Sequence, residues 1–320
     1  MKKLLLTALL FVAVFQLNAQ EILVGSYNIR YKNWNDSVQG NQGPNRCQVI
    51  CDQVNFMAPA IFGAQEVLHG QLHDMLDALD GYDYIGIGRD DGKQAGEYEP
   101  IFYKKDRVKL IDHGDFWLSE TPDKPGLGWD AACIRLCTWG KFCMTVPEQP
   151  CRRGLFRRAP KQKEKTFYFF NLHMDHVGVV ARREAAKLVV AKVKEIAKGA
   201  PVFITGDFNV DQNNEIYTIF TESGILKDSY DAVRIRFAEN GTFNAFKTEY
   251  YTTSRIDHVF VSSDTQVESY GVLTNSYWTP DDTEEALKSA DAPQEISFDN
   301  YIRRNPSDHY PVFARVRIVN

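Results

Sequence analysis

Short apolar runs in this chain repeatedly end at, or begin with, an acid, an amide or an imidazole, and these places are spread over nearly its whole length. The run from Ile22 reaches Asn28, Ala60–Ala64 leads to Gln65 and Glu66, and Thr166–Leu172 stops at His173. Pro201–Thr205 leads to Asp207 and Asn209, Asp257 stands inside the run Ile256–Val261, and Asp308 and His309 precede Tyr310–Ile318. Runs of this length, rich in β-branched and aromatic residues, predict buried strands. Residues 82–87 and 99–103 read as further strands. Residues 46–56, 69–79 and 181–198 instead repeat their apolar positions at helical intervals and are closed by Pro59, Gly81 and Gly199. Strands mixed with a few long helices predict an α/β protein with buried sheets. Polar groups at the ends of such strands share a rim, and the rim of a layered fold is where a cleft forms. A lone acid at a strand end is ordinarily a solvated turn residue; recurrence from distant segments argues for one site.

Convergence of Glu66, Asp207, Asp257 and Asp308 has an electrostatic consequence. Two carboxylates ~5 Å apart at an effective dielectric of ~20 repel by roughly 3 kcal/mol. Either protons or a cation must compensate, and hard oxygen ligands favour magnesium, with manganese or calcium as alternatives, over zinc.

These residues sit in recognisable motifs: SYNIRY at Ser26–Tyr31, QE at Gln65-Glu66, NLHMDHVG at Asn171–Gly178, GDFN at Gly206–Asn209, RIDHVF at Arg255–Phe260 and SDHYPV at Ser307–Val312. Their order and approximate spacing resemble the endonuclease/exonuclease/phosphatase superfamily, which includes DNase I, abasic-site endonucleases, neutral sphingomyelinases, inositol-phosphate 5-phosphatases and deadenylases. The pattern is most similar to secreted bacterial members with deadenylase-like motifs. The GDFN and SDH pair carries the specificity; QE alone would carry little. The resemblance implies a DNase I-like, four-layer sandwich of two packed mixed β-sheets flanked by helices. It implies that Glu66, assisted by Asn28, holds the metal, and that Asp308 lies near it as a further ligand. Asp207 would orient or deprotonate the attacking water, and Asn209 would hold that water and a phosphoryl oxygen. His309, held by Asp257, would stabilise charge developing on the phosphate. His173 would face the phosphate and pair with Glu97, which precedes a strand at the matching distance. Asp175 and His176 would support rather than react. Arg135 reads first as a surface arginine, with a contact to substrate phosphate as the alternative.

The N-terminus bounds the rest. Lys2 and Lys3, the apolar stretch Leu4–Phe15 and the small residue at Ala19 predict a signal peptide over residues 1–19, with residues 20–320 as one domain in the periplasm or outside the cell. The apolar stretch is about a dozen residues, short of the ~20 a membrane helix needs, so no stable membrane anchor is expected. The net charge of −5 becomes two units more negative without Lys2 and Lys3, which disfavours holding polyanions by bulk charge. The chain's 6 cysteines, in an exported protein, suggest disulfides. Cys143 with Cys151 could close a short loop, whereas Cys47 and Cys51 share one helix face and suit burial as small apolar groups. A zinc site is the remaining option, although paired Cys-x-x-Cys spacing is missing.

Residues 132–165, with clustered cysteines and then Arg152, Arg153, Arg157, Arg158, Lys161, Lys163 and Lys165, read as an insertion or long loop. Residues 278–306 read as a second loop. No exposed apolar hairpin of the kind membrane-acting relatives use is evident. Phe116, Trp117, Trp129 and Trp139 suit core packing or stacking on a base or sugar. The resemblance implies a monomeric hydrolase of phosphate esters, with diesters foremost and nucleic acid among the candidate substrates. Sphingomyelinase-like or inositol-phosphate phosphatase activity stays open. An inactive binding protein on the same fold is the alternative of another class, and the intact motif set argues against it.

Overall fold

The computed structural model describes residues 20–41, 45–144, 164–281, 293, 296 and 299–318. The signal-peptide expectation, the pairing of Cys143 with Cys151 and the basic run from Arg152 to Lys163 lie outside these residues. The first part of the chain forms β1 (Gln20–Asn28), α1 (Trp34–Val38), α2 (Asn45–Met57), β2 (Ile61–Gln65), α3 (His69–Ala78), β3 (Tyr82–Ile85) and β4 (Ile101–Lys104). Next come β5 (Val108–Trp117), β6 (Leu136–Met144), β7 (Thr166–His173), α4 (Val179–Ala197), β8 (Val202–Asp207) and α5 (Glu215–Thr221). The remainder supplies β9 (Leu226–Asp228), β10 (Arg236–Phe237), β11 (Asp257–Ser262), β12 (Gln266–Val272), β13 (Tyr277–Pro280), β14 (Tyr301–Arg304) and β15 (Val312–Ile318).

Two mixed sheets result, one ordered β10-β12-β15-β1-β2-β4-β3 and the other β5-β6-β7-β8-β11-β9. Each has a parallel pair at its centre, β1 with β2 and β7 with β8, flanked by an antiparallel neighbour, β15 or β11. An antiparallel strand begins where its neighbour ends. The C-terminal ends of the four parallel strands and the N-terminal ends of β11 and β15 therefore share one rim.

Strand alternation builds the layers. Ile22 and Val24 of β1, Ile61 of β2, Phe167 and Phe169 of β7, Phe203 of β8 and Val259 and Val261 of β11 interdigitate between the sheets. The intervening residues point outward: Phe170, Leu172, Ile204 and Phe260 pack under α4 and α5. Tyr27, Phe62 and Ala64 pack under α2 and α3, where Ile50, Val54, Leu72 and Met75 complete a third cluster. Burying each such large side chain stabilises the fold by ~1.5–3 kcal/mol. The architecture is the four-layer helix–sheet–sheet–helix sandwich the motifs implied. The start of α4 has no capping side chain of its own; Asp130, distant in sequence, accepts from the Val180 and Ala181 N–H groups.

Several expectations are corrected. Leu136–Met144 is no loop: β6 pairs with both β5 and β7 inside the second sheet. The Gly and Lys in its middle break the apolar alternation that would have revealed it. Tyr277–Pro280 and Tyr301–Arg304 pair as a two-stranded ladder bearing exposed Trp278, Tyr301 and Ile302, so an exposed apolar strand pair exists where none was expected. The thiols of Cys47, Cys51, Cys133 and Cys137 are free, and Cys143 forms no disulfide with another described cysteine. Cys51 and Cys137 fill the two helix-covered cores, the apolar role that competed with disulfide formation. Phe116 and Trp117 are buried, and Trp129 and Trp139 pack against the same core, so these rings serve packing. No helix among the described residues is long and apolar enough to cross a membrane.

Candidate active site

The inter-sheet face changes character toward the shared rim. Beyond the apolar residues, the same alternation places Ser26, Gln65, Asn171 and Thr205 between the sheets, all fully buried. The Gln65 amide donates to Asn171 Oδ1 at 2.6 Å, Thr205 donates to the same oxygen at 3.0 Å, and Asn171 donates to the carbonyls of Ala64 and Pro100. Gly63 is required here, because a Cβ would collide with Asn171 Oδ1 and Thr205 Oγ1. One step further along each strand come Asn28, His173, Asp207 and Asp257. The catalytic candidates thus stand on a buried, hydrogen-bonded floor that ties the two sheets together.

Asp207 Oδ2 is the meeting point. The Asn28 amide donates to it at 3.1 Å, His173 Nε2 lies 3.4 Å away and His309 Nε2 lies 3.6 Å away. Burial pushes the Asp207 carboxyl up to about 7; His309 opposes that shift, and Asp257 and Glu66 add to it. The other oxygen, Oδ1, accepts from the Asn209 N–H at 2.9 Å. His309 Nδ1 is 2.9 Å from Asp257 Oδ2. Burial alone would lower the His309 pKa, but the carboxylates of Asp257 and Asp207 outweigh it and hold the ring well above its ordinary value, so it carries charge. His173 is the opposite case: burial, then the Arg135 and Arg89 charges, push its pKa well down and keep it neutral. The Asn209 amide lies 3.1 Å from His173 Nε2 and donates to the Met174 carbonyl at 2.9 Å.

Glu66 closes the other side. It accepts from Asn28 Nδ2 at 3.0 Å and from the Tyr31 N–H at 3.2 Å. Arg30, which the sequence reading did not single out, places NH1 3.8 Å from Glu66 and 3.6 Å from Asp308. Burial raises the Asp308 carboxyl above its usual range. Glu66 and Asn209 both take left-handed backbone, with φ of 62° and 50°. Such conformations cost of order 1–3 kcal/mol and persist where the surroundings over-determine them.

The donor set suits a hard divalent cation. Glu66, Asp207 and His173 bring ligand atoms within 4.8 Å of one another, with Asp308 adjacent, and most of these donors are carboxylate oxygens. Asn28, expected to assist Glu66 at the metal, lies beside it: its nitrogen donates to Glu66 and Asp207, and its oxygen accepts from the Arg30 N–H at 3.0 Å.

The second dyad also differs from expectation. Glu97 grips Arg89 through both oxygens, at 2.6 and 2.8 Å, and does not pair with His173. Glu99, two positions on, is fully buried with its Oε1 3.9 Å from His173 Nδ1, and neither of its oxygens has a hydrogen-bond partner. Arg135 is not a surface arginine. It is 5% exposed, lines the cavity, and leaves Nε and one terminal nitrogen without hydrogen-bond partners. Asp175 accepts from the Cys133, Val177 and Gly178 N–H groups and so shapes the loop around Arg135, while His176 Nδ1 lies 3.3 Å from that guanidinium. His258, one position from Asp257 and hence on the opposite strand face, is a core histidine between Asp228 and the Val210 carbonyl.

Glu66, His173, Asp207, Asn209, Asp308 and His309 line a cavity of about 590 Å³, to which Arg30, Arg89 and Arg135 bring positive charge. Positive charge beside a raised carboxylate and an imidazole suits a site that acts on an anionic ester.

The comparisons with known proteins agree. The model of the endonuclease/exonuclease/phosphatase family matches residues 25–309. A crystal structure of a family member from Bacteroides thetaiotaomicron is 43% identical, covering 94% of this chain and 99% of that one at a TM-score of 0.82. The mannosyl-6-phosphatase of the same organism is 44% identical, with 92% and 99% covered and a TM-score of 0.79. A family protein from Bacteroides vulgatus is 33% identical, with 94% and 100% covered and a TM-score of 0.74. No curated protein matches the chain by sequence. The strand-end motifs, the sandwich that gathers them and these relatives lead to one conclusion: the chain belongs to the endonuclease/exonuclease/phosphatase family.

Proposed function

We propose that this protein is an exported, divalent-metal-dependent phosphatase that hydrolyses a phosphate monoester on a sugar. The observation that carries the hydrolytic reading is the convergence of Asn28, His173 and His309 on Asp207 Oδ2, beside Glu66. Asp207, with its raised pKa, takes a proton from water as that water attacks phosphorus. Asn209 orients the water and a phosphoryl oxygen. The charged His309 ring, steadied by Asp257, stabilises negative charge as the P–O ester bond breaks, and the leaving oxygen takes a proton from solvent to depart as the alcohol. Neutral His173 donates or accepts at the opposite side of the phosphate. Glu66 and Asp308 would hold the cation, magnesium before manganese or calcium, and when bound it would neutralise phosphoryl oxygens and lower the pKa of water.

The monoester departs from the diester that the motifs alone favoured. It is supported by the 44% identity to a mannosyl-6-phosphatase and by Arg135, which lines the cavity with two guanidinium nitrogens free of hydrogen-bond partners. The overall negative charge disfavours a nonspecific nuclease. Export rests on the leader-like residues 1–19. Hexose 6-phosphates assayed beside bis(p-nitrophenyl) phosphate, with magnesium and manganese, test the substrate. Asp207→Asn is expected to lose ~10²–10⁴-fold in kcat with the fold intact. Undiminished turnover in that variant rejects the mechanism, and exclusive diester cleavage rejects the substrate class.

A further inference from the structure

The catalytic cavity does not end at His309. Phe243, Ala245 and Ile256 also line a neighbouring groove of about 410 Å³ whose wall carries Tyr250 and Tyr251. Those two rings are 60% and 70% exposed, and Phe243 is 43% exposed. Exposed aromatic side chains gathered along one groove mark a ligand surface. Beyond the tyrosines, a further depression of about 270 Å³ continues past Phe237.

The loop bearing Phe243 is built to hold its place. The Asn244 and Ala245 N–H groups donate to the Asp308 carbonyl, and the Tyr310 N–H donates to the Thr242 carbonyl at 2.7 Å. Thr242 Oγ1 accepts from the Ile256 and Asp257 N–H groups, and Asn244 Oδ1 accepts from the Phe246 N–H and the Asn305 amide. Ala245 and Phe246 take left-handed backbone, with φ of 51° and 60°. The result sets the Phe243 ring edge-on against His309, with 5.0 Å between ring centroids and an interplanar angle of 69°. Backbone strain and a dense hydrogen-bond set thus position an exposed ring beside the imidazole that faces the phosphate.

The chemistry of the groove selects its occupant. Among the described residues no lysine or arginine lines it, and Arg303 enters only in the depression beyond, together with Glu239; its own charged residue is Glu249, accompanied by Asn244, Thr252 and Ser254. A nucleic-acid strand requires cations along its path, and here it would meet an acid. Aromatic faces beside hydroxyls and an amide suit a neutral polyhydroxylated ring, whose C–H face stacks while its hydroxyls hydrogen-bond. We propose that this groove is a saccharide subsite receiving the sugar units beyond the phosphorylated one, so that the enzyme prefers a phosphorylated glycan to a free sugar phosphate. The inference rests on reading the catalytic cavity as a sugar phosphatase.

The full chain tests it through two measurements. In the first, kcat/KM is compared for a hexose 6-phosphate and for a trisaccharide carrying the same phosphate on its terminal hexose. The wild type should prefer the trisaccharide, and Tyr250→Ala with Tyr251→Ala should reduce that preference at least tenfold through KM. Tyr251→Phe, which keeps the ring, should retain it. In the second, the unphosphorylated trisaccharide is titrated calorimetrically, and its affinity should fall at least tenfold in the double variant. Turnover of other phosphate esters but of neither sugar phosphate would refute the catalytic reading, and the titration would still judge the groove. A trisaccharide that does not bind, or binds equally to the double variant, overturns the subsite. So does a preference for oligonucleotide phosphates that disappears in the same variant.

Discussion

Replacing Glu99 with glutamine should make the protein more stable, and by an amount that grows with pH. Glu99 is fully buried, and neither carboxylate oxygen finds a hydrogen-bond donor. Burial pushes its pKa from 4.5 up to about 8, against the pull of Arg89 and Arg135. The folded protein therefore keeps this proton up to about pH 8, whereas the unfolded chain releases it near 4.5. Below 4.5 the group contributes nothing to pH dependence; above it, stability falls until the folded-state pKa is passed. At ~1.4 kcal/mol per pH unit, the ionised group costs the fold on the order of 5 kcal/mol once fully charged. Between pH 5 and pH 8.5 the same arithmetic gives a change of about 4 kcal/mol. Glutamine has the shape of the protonated acid and no titration. Urea unfolding of wild type and Glu99→Gln, both in chelator, should show midpoints that nearly coincide at pH 5 and separate steadily toward pH 8.5. Parallel stability curves for the two proteins would refute the argument, because they would mean that Glu99 ionises in the fold as easily as in the unfolded chain.

Asp257→Asn should lower kcat ~10²–10⁴-fold, since it removes the carboxylate that orients His309 and maintains its charge. With the His309 pKa lowered, the alkaline limb of kcat/KM should move to lower pH, and an unmoved limb in the pH–rate profile would deny the pairing its role. Gly63→Ala should destabilise the protein by ~1–3 kcal/mol in denaturant titration, because its methyl group would enter the Asn171 and Thr205 contact. A neutral outcome would mean that the polar floor yields easily. Chelation should abolish turnover and lower the melting temperature. Magnesium at 100 times its Kd should restore about 2.7 kcal/mol of stability, and Glu66→Gln should lose that increment.

Much of the fold was legible because apolar alternation and helical periodicity are local signals. The runs ending at Asn28, His173 and Asp207 became β1, β7 and β8, and the periodic stretches near 46–56, 69–79 and 181–198 became α2, α3 and α4. Where local contrast is weak the reading failed. β5 is half-exposed along its length, and β6 mixes Cys, Gly and Lys, so only pairing with β7 makes β6 a central strand. Among the site residues, Arg30 and Glu99 lay beside quoted residues yet carried no sign of their contacts.

The sequence by itself determined which residue types end the strands, and strand alternation then dictated that Asn28, His173, Asp207 and Asp257 continue the face buried between the sheets. Local chain geometry suffices for that. Tertiary structure decided who meets whom. Glu97 and Glu99 differ by two positions, so alternation allows either to approach His173; Arg89, from the turn that follows β3, takes Glu97 and leaves Glu99 buried beside the imidazole. It also decided that Asn28 turns its nitrogen toward Glu66 and Asp207, and that Phe243 lies against His309. Such pairings depend on distances between segments far apart in the chain, and those distances exist only once the two sheets have packed.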